Sequence, residues 1–335
     1  MDLAASALAG DRRALARLLS RVENGDPEGQ AALMKLFPHS GQAHIIGITG
    51  APGAGKSTLL NRLAHVFREH EERVAVVAVD PTSPYSGGAL LGDRLRMRDL
   101  VEDPGIFIRS MASRGHPGGV AHATRDVVTV LDAVGVPVIL VETVGAGQSQ
   151  VEVARVAHTV VLVEAPGMGD AIQALKAGLM EIADIIVVNK ADRPEARQTV
   201  RALQSVRRGG PAGHHGPSAG EDTTGAEADE AGWEVPILKT SALEGEGIAE
   251  LMAAILAHRE DLKATGRWDE RLARHARAEI EVWVEHHFHA LLQAQLPAER
   301  ITAAVEAVSR RQQDPVSAAR SLLADLLEAV RQEAS

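Results

Sequence analysis

One glycine-rich stretch constrains the fold of this chain more than any other feature of its sequence. The stretch reads Gly50, Ala51, Pro52, Gly53, Ala54, Gly55, Lys56 and Ser57. An apolar run at 44–49 precedes it as a predicted strand, and a helical pattern that begins at Thr58 follows it. Glycines let successive backbone N–H groups point at phosphate oxygens, and a helix N-terminus adds partial positive charge. This order of elements predicts the phosphate-binding loop of a P-loop NTPase, so the chain is expected to bind a nucleoside triphosphate.

Two side chains of this loop carry the expected phosphate chemistry. Lys56 can reach the β- and γ-phosphates, and the Ser57 hydroxyl can ligate Mg²⁺. We predict nucleotide contacts from every residue of the loop and from Thr58. Lys56 also counts as a predicted catalytic residue, because its charge can stabilise the transferred phosphoryl group.

Short β-branched runs alternate with helical stretches from residue 44 to residue 240. The predicted strands are 44–49, 73–79, 106–109, 137–142, 159–164, 185–189 and 235–239. Strands that alternate with crossover helices predict an α/β fold with a mostly parallel central sheet covered by helices. Ligands of such a sheet lie at the carboxyl ends of its strands, where the phosphate loop is also expected.

Helical patterns flank this region on both sides. Residues 1–40 predict an N-terminal helical extension, a pair of short helices with a break at Gly25-Asp26-Pro27. Residues 41–260 form the predicted nucleotide-binding domain, and residues 261–335 form a helical region that either packs outside the sheet or pairs with another subunit. Within the domain, the glycine-rich and acidic segment 207–231 predicts a flexible surface loop.

A second motif points to the base of the nucleotide. It reads Asn189, Lys190, Ala191 and Asp192, and it follows an apolar run at the end of a predicted strand. The Asp192 carboxylate can accept hydrogen bonds from guanine N1–H and from the exocyclic amine. Adenine offers neither donor and would leave a desolvated carboxylate unpaired. The stem of Lys190 can cover the base, and Asn189 can tie the strand end to the phosphate loop.

The end of the next predicted strand completes the expected base site. Ser241 and Ala242 follow Thr240 there, and a backbone N–H of this segment can reach guanine O6. Together, the two segments predict GTP and GDP as the ligands.

Carboxylates at three places can surround the metal that accompanies the phosphates. Asp80 ends one predicted strand and Asp93 lies in the following segment, and either can join Mg²⁺ directly or through water. Glu142 ends another strand in a Glu-x-x-Gly pattern, and the Gly145 N–H is suited to the γ-phosphate. Strand-end carboxylates can also be structural, so both roles stay open for these residues.

Composition narrows the partners and the compartment. A formal net charge of -10 argues against a nucleic-acid partner. The absence of cysteine excludes disulfides, thiolate zinc sites and cysteine nucleophiles. No signal-peptide pattern opens the chain, and no apolar run approaches the ~20 residues that span a bilayer. We therefore expect a cytoplasmic protein without a membrane partner.

Several segments together resemble the methylmalonyl-CoA mutase-associated GTPases, a family also labelled ArgK or LAO/AO transport kinase. The segments are 50–58, 79–83, 87–94, 142–149, 166–170 and 177–192. The resemblance implies a SIMIBI-class G protein that forms a homodimer through helical extensions. It also implies an adenosylcobalamin-dependent acyl-CoA mutase as the partner, with the GTPase gating the loading and protection of the mutase cofactor.

The resemblance further implies roles for single residues. Asp80 and Asp93 look like the switch I metal residues, and Glu142 looks like the switch II acid. Residues 166–176 resemble a third switch, which couples the nucleotide state to the mutase. No glutamine directly follows Gly145, where some GTPases orient the attacking water. Gln148 is the nearest candidate, with a helix-capping role as the alternative, so we expect slow GTP hydrolysis until a partner orders the switches.

Two other functions compete with this prediction. One is a kinase or ATPase that acts on a periplasmic amino-acid-binding protein, as the older family label suggests. The sequence supplies neither a base for a substrate hydroxyl nor a protein-kinase catalytic loop. The other is a nickel-insertion GTPase, although such proteins usually carry cysteine or a histidine-rich tract.

Overall fold

A sheet of seven parallel strands forms the centre of the protein. The computed structural model describes residues 2–70, 72–80, 100, 102–112, 119–143, 152–167, 179–209 and 232–333. The strands are β1 His44–Gly50, β2 Val74–Asp80, β3 Ile106–Ala112, β4 Val138–Thr143, β5 Thr159–Glu164, β6 Ile185–Val188 and β7 Ile237–Lys239. They lie in the order β3-β2-β4-β1-β5-β6-β7, and every neighbouring pair is parallel. The predicted α/β P-loop fold is confirmed, and each predicted strand overlaps an observed one.

Helices precede, cover and follow this sheet. They are α1 Leu3–Leu8, α2 Arg12–Glu23, α3 Pro27–Leu36, α4 Lys56–Glu69, α5 Gly119–Ala133, α6 Ala196–Gly209, α7 Ile248–Ala264, α8 Arg267–Gln295, α9 Ala298–Ser309 and α10 Pro315–Glu333. Short 3-10 turns occupy Phe37–His39 and Val153–Arg155. Within the described residues, no helix combines the length and the apolar character needed to cross a membrane.

The N-terminal extension differs from its prediction, because it contains three helices rather than a pair. Gly10 takes a φ of 89°, which ends the first helix early. Asp11 then caps α2, and its side chain accepts hydrogen bonds from the N–H groups of Arg13 and Ala14. The Gly10-Asp11 pair is thus a stop and a start signal that the helical pattern alone conceals.

The central strands β4, β1, β5 and β6 are buried on both faces, which explains their largely apolar sequences. Every residue of β1, β4, β5 and β6 is buried. One core joins the sheet to α2 and α5, with Leu18 and Leu131 fully buried. A second core joins it to α4 and α7 through Leu63 and Leu251. Each such large apolar side chain contributes about 1.5–3 kcal/mol, so the two cores fix the strand ends that carry the site.

The chain divides into two compact units, Met1–His275 and Ala276–Ser335, with the boundary inside α8. The first unit contains the sheet and the N-terminal helices. The second contains the end of α8 together with α9 and α10. In the second unit, Arg300 on α9 forms an ion pair with Asp325 on α10.

Candidate nucleotide site

The phosphate loop runs from the end of β1 to the start of α4, and two of its glycines are sterically required. Gly50 has a φ of 136°, and a Cβ there would lie 2.0 Å from the Val163 carbonyl oxygen of β5. Gly55 has a φ of 91°, and a Cβ there would lie 2.4 Å from Nδ2 of Asn189. Both backbones occupy the left-handed region that favours glycine. The loop therefore packs too closely on β5 and on the Asn189 side chain to accept a larger residue.

Lys56, the first residue of α4, is directed into its own loop. Its Nζ donates to the carbonyl oxygens of Gly50 (2.9 Å) and Ala51 (3.1 Å), and only 7% of the residue is exposed. Burial lowers the pKa of Lys56, while the carboxylates of Glu142 and Glu164 act in the opposite direction. An anion of the size of a phosphate group can exchange for the loop carbonyls as the partner of this ammonium group.

Ser57 and Glu142 lie next to each other at the carboxyl edge of the sheet. Ser57 Oγ donates to Glu142 Oε1 over 2.7 Å, and Glu142 pairs with Ile48 across β4 and β1. Hydroxyl and carboxylate oxygens are the ligands that Mg²⁺ prefers, so this pair fits the predicted metal. The backbone of Asp80 ends β2, which is the other neighbour of β4. The three predicted metal residues in the described part of the chain thus belong to neighbouring elements of one edge.

Asn189 connects the phosphate loop to the segment after β7, residues 240–242. Its Nδ2 donates to the Ala54 carbonyl oxygen (2.9 Å). Its Oδ1 accepts from Thr240 Oγ1 (3.1 Å) and from the Ala242 N–H (3.1 Å). The residue is buried, so each of these bonds forms away from competing water. The tie between strand end and loop that the sequence predicts for Asn189 is present in the structure.

Hydrogen bonds and backbone conformation also constrain the residues after Asn189. Lys190 has a φ of 56°, and its Nζ donates to the Gly53 carbonyl oxygen over 2.7 Å. A non-glycine residue in this left-handed region is uncommon and points to a local constraint. Ser241 Oγ donates to Asp192 Oδ1 over 2.9 Å, and a carboxylate has a second oxygen that can accept from a ligand. Asp192 itself is exposed, whereas Ser241 and Ala242 are buried.

Several predicted positions lie outside the described residues. They are Asp93, Gly145, Gln148, residues 168–176 of the segment that resembles a third switch, and residues 210–231 of the glycine-rich loop. Their predicted roles stay predictions.

The sequence pattern did not predict Glu164 as a site residue, and it did not predict a role for the Thr240 hydroxyl. Glu164 ends β5 with only 3% of its surface exposed, and burial raises its pKa to about 7 even though Lys56 acts to lower it. An acid that ends an apolar strand is the same signal that identified Glu142, so Glu164 could have been found. Thr240 could not, because its hydroxyl becomes functional only through the pairing of β6 with β7.

Comparisons with known proteins identify the family of the chain. The sequence model of the family described as methylmalonyl Co-A mutase-associated GTPase MeaB matches residues 15–297. A protein of Pyrococcus abyssi that is named as a GTPase is 44% identical over 318 residues, which cover 95% of this chain and 94% of that protein. A mouse protein named methylmalonic aciduria type A homolog, mitochondrial, is 33% identical over 71% of this chain and 54% of its own length.

A solved structure, named LAO/AO transport system kinase, has the same overall fold. It is 28% identical, superimposes with a TM-score of 0.68, and covers 95% of this chain and 96% of its own. The phosphate loop, the guanine motif and the parallel sheet thus occur together with a family match over most of the sequence. The chain belongs to the methylmalonyl Co-A mutase-associated GTPase family, MeaB.

Proposed function

We propose that this protein is a guanine-nucleotide switch that gates the loading and protection of the cofactor of an adenosylcobalamin-dependent acyl-CoA mutase. The observation that carries the proposal is the position of Asn189, which bonds the phosphate loop and the β7 end at the same time. Phosphate and base would therefore be bound by one connected set of hydrogen bonds. The mutase as partner is supported by the description of the family that the chain matches.

Hydrolysis in this site would depend on positioning and charge. Lys56 would move from the Gly50 and Ala51 carbonyls to the β- and γ-phosphates. Ser57 and Glu142 would hold the metal, with Asp80 and Asp93 as the proposed ligands from switch I. When bound, Mg²⁺ neutralises charge that develops on the phosphate oxygens. Gly145 and Gln148 remain the proposed γ-phosphate contact and water-orienting residue.

The proposed function is tested by GTP hydrolysis with and without the mutase. We expect slow turnover by the protein alone and a clear acceleration when purified adenosylcobalamin-dependent acyl-CoA mutase is added. The variant Lys56→Ala should lose tight GTP binding and the response to the mutase together. A partner-independent turnover of ~1 s⁻¹ or faster would contradict the proposal, as would a rate that the mutase leaves unchanged.

We also propose that the protein forms a homodimer. An exposed apolar surface in the second unit, Ala276–Ser335, supports this proposal. There α8 carries exposed apolar side chains at four-residue spacing: Ile280 (63% exposed), Val284 (61%) and Phe288 (43%). Val284 and Phe288 line an open groove of about 680 Å³ together with Leu291 and Ala294. Exposed apolar stripes of this kind commonly mark protein interfaces, and we propose that a second copy of this chain covers it.

Light scattering of two matched variants tests the dimer. Phe288→Glu places a charge in the groove, whereas Gln293→Glu places the same charge at another exposed position of α8. We expect the first variant to be monomeric and the second to keep the dimer mass. Equal masses for both variants and the wild type would show that this groove is not the interface.

A further inference from the structure

The side chain of Arg62 connects the helix of the phosphate loop to the segment that follows β7. Arg62 lies on α4, six residues after Lys56. Its Nε donates to the carbonyl oxygen of Ala242 over 3.0 Å, and its Nη2 donates to the carbonyl oxygen of Leu243 over 2.9 Å. One guanidinium group thus holds two successive peptide carbonyls of the base segment.

The base segment, residues 241–246 after β7, is also held by backbone hydrogen bonds between its own two ends. The Ser241 N–H donates to the Glu246 carbonyl oxygen (3.0 Å), and the Gly245 N–H donates to the Ser241 carbonyl oxygen (2.8 Å). The Ser241 hydroxyl bonds Asp192, and the Ala242 N–H is donated to Asn189 Oδ1. These bonds fix the two ends of the segment, whereas Arg62 fixes the peptide planes between them.

Because the peptide bond is planar, the hydrogen bond from Arg62 to the Ala242 carbonyl also fixes the direction of the Leu243 N–H. The Ala242 carbonyl and the Leu243 N–H belong to one trans peptide plane and point in opposite directions. Because Arg62 holds the carbonyl on the side of α4, the Leu243 N–H must point away from α4. A charged partner on the carbonyl also polarises the peptide and strengthens its N–H as a donor. Since the Ala242 N–H is engaged by Asn189, the Leu243 N–H is the next amide along the segment that can meet a base oxygen.

We propose that Arg62 is a positioning residue for guanine recognition: by clamping the Ala242 and Leu243 carbonyls, it aims the Leu243 N–H at the O6 oxygen of the bound base. The inference rests on the proposed guanine-nucleotide binding. It goes beyond that proposal because it names the amide that reads O6 and the side chain that orients this amide. It also links the phosphate-loop helix directly to base selectivity.

The test compares two nucleotides that differ only at the position that the clamp is proposed to read. In 6-thio-GDP a sulfur replaces O6, and sulfur is a weak hydrogen-bond acceptor. The variant Arg62→Met removes the guanidinium group and keeps an unbranched side chain. We expect this variant to bind GDP about tenfold more weakly and 6-thio-GDP less than about twofold more weakly, in equilibrium titrations with Mg²⁺. Arg62→Lys, which can still hold one carbonyl, should recover part of the GDP affinity.

The two nucleotides also separate a positioning role from a merely structural one. If Arg62 only stabilised the fold, Arg62→Met would weaken both nucleotides by the same factor, and that outcome would overturn the inference. Unchanged affinity for both would overturn it as well. Wild-type protein that binds GDP no better than ADP would refute the guanine site itself, so failure of the proposed function is recognised separately.

Discussion

At the scale of single residues, the site depends on backbone conformations that only a few residue types accept. Gly55 lies in the left-handed region and touches the Asn189 side chain, while Lys190 takes a positive φ without being glycine. Gly55 lies against the Asn189 side chain, and Lys190 follows Asn189 in the sequence. The bonds of Asn189 join the phosphate loop to the segment after β7. The sequence motifs predicted these residues as parts of the site and predicted the bond from Asn189 to the phosphate loop, whereas the bond from Thr240 to Asn189 depends on the pairing of β6 with β7.

A matched pair of glycine substitutions tests the role of the close contact at Gly55. Gly55→Ala and Gly10→Ala impose similar backbone strain, because the φ angles are 91° and 89°. A Cβ at Gly55 meets Asn189 at 2.4 Å, but a Cβ at Gly10 meets no described atom within 4 Å. Each variant should lose about 1 kcal/mol of stability from strain. Only Gly55→Ala should also bind GTP at least about tenfold more weakly in equilibrium titrations. Wild-type GTP affinity in Gly55→Ala would contradict this account of the loop.

At the scale of elements, the central strands could be predicted because runs such as 138–141 and 185–188 are uninterruptedly apolar, which a strand buried on both faces requires. The N-terminal helices were harder, because α1 and α2 share a continuous helical pattern and only the Gly10-Asp11 pair separates them. Contacts such as the Arg62 clamp could not be predicted at all. They join positions that are far apart in sequence, and they depend on how α4 packs against α7, the helix that follows β7.

The start of α8 is anchored on the amino-terminal side of the sheet by a buried ion pair. Arg271 forms two hydrogen bonds with the Asp184 carboxylate, at 3.0 and 2.6 Å. His258 is a further partner of this carboxylate at 3.3 Å. Although burial acts to raise the pKa of Asp184, the hydrogen bonds from His258 and Arg271 outweigh it and hold this pKa at about 2.

Removal of this anchor should destabilise the first unit strongly. Arg271→Met leaves the Asp184 charge buried without its main cationic partner, and such losses cost about 3–5 kcal/mol. Arg277→Met, at a position of α8 whose side chain is 83% exposed, should change stability by less than about 0.5 kcal/mol. Urea unfolding measures both variants. Equal stabilities would show that the Arg271 pair does not hold α8 in place.

At the scale of the whole molecule, stability should depend on pH through buried neutral histidines. His158 packs against Trp268 with ring centroids 4.2 Å apart, and its Nδ1 accepts from the Ile45 N–H. Burial and neighbouring positive charges lower the pKa of His158 from 6.5 to about 3. The unfolded chain therefore binds a proton that the folded chain rejects. The contribution of neutral His158 to the free energy of unfolding is therefore complete above pH 6.5, and it is lost as the pH falls toward 3.

A substitution of His158 isolates this effect. His158→Asn keeps an acceptor for the Ile45 N–H but removes the titration. Between pH 6 and 5, the free energy of unfolding of the variant should change less steeply than that of wild type, by up to about 1.4 kcal/mol per pH unit. Glu164, whose pKa of about 7 is raised, acts in the opposite direction, but it is common to both proteins and cancels in the difference. Identical pH slopes would mean that His158 is not the group responsible.

At the carboxyl edge of the sheet, Asn189 bonds both the phosphate loop and the segment after β7, and we propose that this edge binds a guanine nucleotide. The most direct test is displacement of a fluorescent GDP analogue by GDP, ADP and xanthosine diphosphate, measured on wild type and on Asp192→Asn. We predict that GDP displaces the analogue from wild type at least about a hundredfold better than ADP does. Asp192→Asn should favour xanthosine diphosphate, because its amide can donate to the oxygen that replaces the guanine amine. Equal displacement by GDP and ADP, or an unchanged preference in Asp192→Asn, would contradict the assignment of this edge as a guanine-nucleotide site.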